Sequence, residues 1–87
     1  MTEPIILKPY SKAEAARIAE AAELAGVSIE TIRRWTVIYG LGRKVGGTWF
    51  ISKVALFMFL EDDETALAAY HQGDRTSPVV ATYFQRL

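Results

Sequence analysis

The sequence predicts a mainly α-helical domain carrying one small β-hairpin, on three observations. Stretches rich in Ala, Glu and Leu place apolar residues at helical spacing. Glycines close those stretches. One Gly-Gly pair is flanked on both sides by β-branched and aromatic residues. With 87 residues, 51% of them hydrophobic, the chain has room for one domain with a small core. There is no cysteine, so neither disulfides nor thiolate metal sites support the fold.

Residues 1–10 hold two of the three prolines and no helical period, which predicts an extended lead-in. Ser11 with Glu14 has the spacing of a capping box, predicting a first helix from Lys12 to Ala25 with Ile18, Ala21, Ala22 and Leu24 at helical spacing. Gly26 ends it and Ser28 caps the next, expected from Ile29 to Thr36. Ile29, Ile32 and Trp35 or Thr36 form its inward stripe, while Glu30, Arg33 and Arg34 point away. Two helices joined by Gly26-Val27-Ser28 make a helix-turn-helix.

Lys44-Val45 and Thr48-Trp49-Phe50-Ile51 flank Gly46-Gly47, which reads as the hairpin. Ser52 caps a third helix to about Leu60, apolar on most sides. The acidic run Glu61-Asp62-Asp63-Glu64 interrupts it, and a helical pattern resumes from Glu64 to Gln72. The domain is therefore expected to span 11–73. Beyond it, residues 74–87 form a tail in which Ser77-Pro78 starts a short amphipathic helix, with a strand over Val79–Phe84 as the alternative. Its apolar residues Val79, Val80, Tyr83, Phe84 and Leu87 are expected to serve self-association.

Net charge is zero, but the distribution is uneven. From Ser28 to Lys53 five basic residues face one acid, a net +4; from Val54 to Leu87 two basic residues face five acids, a net −3. Such a split fits either a basic working face or ordinary solvated surfaces.

The run Glu20-Ala21-Ala22-Glu23-Leu24-Ala25-Gly26-Val27-Ser28-Ile29-Glu30-Thr31-Ile32-Arg33-Arg34-Trp35 resembles the helix-turn-helix of the excisionase family, small relatives of the mercury-resistance-regulator type. Glu-Ala-Ala, the leucine, Gly-Val-Ser, Thr-Ile and the closing Trp all match that family's pattern. Arg43-Lys44-Val45-Gly46-Gly47-Thr48-Trp49-Phe50-Ile51 resembles its wing. The likeness covers about Arg17 to Leu60. It implies a winged helix-turn-helix and an excision factor, or recombination directionality factor. Such a factor binds and bends attachment-site DNA cooperatively so that an integrase (a tyrosine recombinase) excises a mobile element.

The DNA-contact residues expected on the recognition helix are Ser28, Glu30, Thr31, Arg33 and Arg34. Those on the wing are Arg43, Lys44, Gly46, Gly47 and Thr48, with Trp49 packed inward or laid along the sugar-phosphate surface. A transcriptional regulator of the same fold, or an interaction module that has lost DNA binding, are the other readings.

No enzyme constellation is present: no Ser-His-Asp set, no phosphate loop ending in Lys-Ser/Thr, no HExxH. No cofactor or metal is expected. His71 reads as a surface residue, and Glu61 to Glu64 as a solvated acidic patch. Without a secretory signal or a long apolar run, the protein is expected to be soluble, cytoplasmic and nucleoid-associated, in a bacterium or phage.

Overall fold

The Ala-rich stretch after Ser11 does not become helix at once. In the computed structural model, which describes residues 3–87, Ser11 to Glu14 form a turn closed by Glu14 and Ala15 amides on the Ser11 carbonyl. Ala15–Ala16 is a short strand, β1, and the first helix, α1, runs Ile18–Ala25. Ser11 and Glu14 are thus no capping box, and the predicted start at Lys12 is corrected. The cause is tertiary. Helix propensity is a weak preference, whereas β1 supplies an antiparallel partner to the edge of the hairpin, pairing Ala15 with Ser52 and Ala16 with Ile51.

Helix α1 buries Ala21 and Ala22, and Leu24 lies exposed. Gly26 takes the left-handed conformation, and Val27 N–H donates to the Ala22 carbonyl. The Ser28 hydroxyl then accepts from the Thr31 amide and caps α2 (Ile29–Tyr39). That helix is longer than predicted, ending at Gly40 rather than after Thr36. It buries Ile32 and Thr36. Trp35 is half-buried, its ring 4.9 Å from Phe59. Ile29, expected inward, is 44% exposed; it opens α2 directly after the turn, and the helix meets the core through Ile32 and Thr36 instead.

Strands β2 (Gly42–Val45) and β3 (Thr48–Ser52) form the predicted hairpin, so the sheet runs β1-β3-β2. Gly46 and Gly47 both have positive φ, as the tight turn requires. Gly42 is needed for a different reason: a Cβ there would sit 2.2 Å from the Phe50 carbonyl oxygen. Ser52 ends β3, and its hydroxyl accepts from the Ala55 amide to start α3 (Lys53–Leu60). Val54, Ala55, Leu56 and Met58 of α3 are fully buried and form the centre of the core.

Asp63 caps α4 (Glu64–His71), and Pro78 opens α5 (Pro78–Phe84), which settles the tail as helix. The tail is not a free appendage. Helix α5 packs on α3 and α4 and buries Val80 and Tyr83. The Tyr83 hydroxyl donates to Asp63 at 2.9 Å, and Arg86 pairs with Glu61. Phe84 is half-buried. Of the residues expected to serve self-association, Val80 and Tyr83 are committed to the chain's own core, and only Val79 and Leu87 remain well exposed. The lead-in joins the same body, with Ile6 and Leu7 buried; Met1 and Thr2 lie outside the described residues.

One fully buried acid ties these parts together. Glu14 accepts from Ser52 Oγ at 2.6 Å, from the Tyr70 hydroxyl, and from Arg75 Nη1 at 3.1 Å. Tyr70 also accepts from the Leu7 amide, and Arg75 Nε donates to the Lys8 carbonyl at 2.8 Å. Burial and the bond to Glu14 push the Tyr70 hydroxyl up to about 12.

Replacing Glu14 by Ala leaves the Arg75 guanidinium without its counter-ion and is expected to cost about 3 kcal/mol in urea denaturation. Glu14→Gln should cost less. A raised tyrosine pKa contributes stability in full below the unfolded value near 10, and that contribution disappears as pH rises toward about 12. The urea midpoint should therefore fall between those limits, and less steeply in Tyr70→Phe.

Candidate nucleic-acid interface

Helix α2 and the hairpin border one depression. Ile18, Arg33, Thr36, Val37 and Trp49 line a groove of about 390 Å³. An adjoining hollow of about 330 Å³ brings Arg17, Ala19, Ile29 and Thr48 to the same side. The placement follows from local rules. The three-and-four spacing that buries Ile32 and Thr36 turns Arg33 and Arg34 outward. Strand alternation puts Trp49 and Ile51 on the same side, Ile51 in the core and Trp49 half-buried on the groove wall.

Glu30, Arg33 and Arg34 are exposed, as expected. Among the described residues neither arginine has an ion pair. The Ser28 and Thr31 hydroxyls lie 3.0 Å apart and bond to each other, with Ser28 also holding the cap. Gly46 and Gly47 form an exposed hairpin tip, Lys44 is exposed with its ammonium 5.9 Å from the Trp49 ring centre, and Thr48 is half-buried.

Arg43 is placed differently. Its Nε donates to the Ile6 carbonyl at 2.7 Å, Nη2 to Leu7 at 2.9 Å and Nη1 to Lys44 at 3.3 Å. The hairpin register explains this. Arg43 pairs with Phe50 across the strands, and Lys44 with Trp49, so the two basic side chains leave opposite faces. Arg43 holds the lead-in, and the hairpin's outward charge rests on Lys44. Lys53, counted in the basic segment, pairs with Glu20 at 3.4 Å.

Arg17 was missed. A helix predicted from Lys12 puts it mid-helix, outside the charged window. In the structure it precedes α1, is exposed, and lies 5.7 Å from the Phe50 ring centre beside Arg33's hollow. Only the true helix start would have revealed it.

His71 is not a bare surface residue: it is half-buried, and Nε2 donates to the Gly40 carbonyl at 2.8 Å, tying α4 to the end of α2. The acidic run is likewise engaged. Asp63 caps α4, and the hydrogen bond from Arg86 lowers the Glu61 pKa. Among the described residues no group of three His, Asp or Glu is placed to hold a metal ion, and no helix is long and apolar enough to cross a membrane. No protein family, curated protein or solved structure matches the chain.

Arg43→Ala should destabilise the fold by about 2 kcal/mol, the worth of hydrogen bonds from a charged group. It should also speed hydrogen exchange at the Ile5 and Leu7 amides. Lys44→Ala, removing an exposed charge whose contact is the Trp49 ring, should cost less, under about 1 kcal/mol.

Proposed function

We propose that the chain is a winged helix-turn-helix that binds duplex DNA, with α2 in the major groove and the β2–β3 hairpin on the adjoining backbone. One observation carries this reading: Arg33, Arg17, Thr48 and Trp49 border the same hollow, so helix and hairpin work on one side of the molecule. With Arg34 and Lys44, four exposed basic residues belong to these elements and the start of α1. A helix about 11 Å across fills the major groove. Helix α2, with 11 residues, is about 16 Å long. Arg33 and Arg34 supply the two-pronged donors that suit guanine or phosphate. Glu30 accepts from a cytosine amino group.

Arg43 is left out of this contact, because its Nε and Nη2 hold the lead-in and its side chain leaves the sheet face opposite Lys44. Its place among the phosphate-binding groups falls to Arg17. Ser28 and Thr31 act by fixing the helix start, from which the N-terminal amides face a phosphate.

The resemblance to the excisionase family extends the proposal to an excision factor acting with an integrase. A body 31 × 26 × 26 Å covers at most about nine base pairs. Useful affinity at an attachment site then needs several copies side by side. The tail contributes to such contacts only through Val79 and Leu87. A promoter-binding regulator uses the same chemistry, and footprinting of DNA flanking the gene distinguishes the two by the sites occupied.

The Arg33→Ala, Arg34→Ala double variant should lose at least tenfold in duplex affinity with an unchanged thermal midpoint. The parent's affinity should fall steeply with salt, with a log–log slope near −0.9 for each phosphate neutralised. Absence of retention on any duplex at low salt would overturn the proposal and favour an interaction module.

A further inference from the structure

The first turn of α2 carries four side chains of different chemistry. The Ser28 and Thr31 hydroxyls are engaged with each other and with the cap. Glu30 brings carboxyl oxygens that accept hydrogen bonds. Ile29 is the apolar member, 44% exposed, and it borders the same hollow as Arg17, Arg33 and Thr48. Its position is not needed by the core, which α2 fills with Ile32 and Thr36.

Major-groove base edges present donors, acceptors and one apolar group, the thymine 5-methyl. We propose that Ile29 is a specificity-determining residue that packs against a thymine methyl. This rests on the reading that α2 enters the major groove. The helix period aligns Ile29 with Arg33, four residues on and about 6 Å away along one side. That separation is about two base steps at 3.4 Å each. The preferred site therefore places a thymine within about two base pairs of a guanine held by Arg33. Burial of one methyl group corresponds to a roughly three- to fivefold change in affinity.

The test uses the whole chain and the duplex it enriches most from a random-sequence pool. Each thymine of that duplex is replaced singly by deoxyuridine, which lacks the methyl and keeps every hydrogen-bonding group. At one thymine the parent should lose roughly three- to fivefold in affinity, and Ile29→Ala should bind the thymine and uracil duplexes equally. Ile29→Ala is also expected to keep the parent's thermal midpoint, since the side chain is largely outside the core. Indifference of the parent to every replacement overturns the inference while DNA binding stands. So does an Ile29→Ala variant that keeps the parent's sensitivity. Failure to enrich any duplex overturns the DNA reading and this inference together.

Discussion

The rest of the structure depends on one buried carboxylate. Glu14 has no exposure to solvent, and an unpaired charge there would be prohibitively costly. Its three donors come from far-apart places: Ser52 at the end of the hairpin, Tyr70 on α4, and Arg75 in the loop before α5. Two of those donors also hold the lead-in, Tyr70 through Leu7 and Arg75 through Lys8. Burying Glu14 thus requires sheet, C-terminal helices and lead-in to close on it together. This ties the sheet, the C-terminal helices and the lead-in among the described residues into one body.

The same constraint shapes the proposed contact surface. Because Glu14 is drawn inward, the segment after it becomes β1 instead of helix, and the Lys53 amide donates to the Glu14 carbonyl. Strand β1 pairs along one edge of β3 and β2 along the other, so β3 is the central strand. The hairpin is then held from both sides: by β1 along β3, and by Arg43, which grips the lead-in beside β2. A hairpin supported in this way keeps Trp49 and Thr48 fixed against α2, which defines the hollow. The stiffness of a proposed DNA-contacting edge comes from acidic and basic groups that touch no DNA.

Division of labour among similar residues follows from this packing. Arg43 and Lys44 are neighbours in the chain, yet one is a structural clamp and the other is exposed. Among the described residues Arg33 and Arg34 have no ion pair, whereas Arg75 and Arg86 serve Glu14 and Glu61. Charge counting along the chain treats all six alike. The +4 of the middle segment is accordingly a poor measure of the proposed contact face, from which Arg43 is withdrawn and to which exposed Arg17 is added.

Local chemistry was legible wherever a residue acts on its immediate neighbours. Gly26 with Ser28 marks the turn, Gly46-Gly47 marks the hairpin, Ser52 marks the start of α3, and Pro78 marks α5; each works through backbone geometry within a few residues. The outward face of α2 follows from helical periodicity alone. The first helix boundary, the burial of Glu14, the commitment of Arg43, and the folding back of Val80 and Tyr83 were not legible. Each depends on a partner distant along the chain, such as Asp63 for Tyr83, Ile6 for Arg43 and Arg75 for Glu14, which lie 20, 37 and 61 positions away. Sequence by itself determined the turns at Gly26 and Gly46-Gly47 and the outward placement of Glu30, Arg33 and Arg34, because those are short-range preferences. Tertiary structure alone decided which charges are spent inside and which remain for a partner, because pairing a buried charge is a long-range requirement.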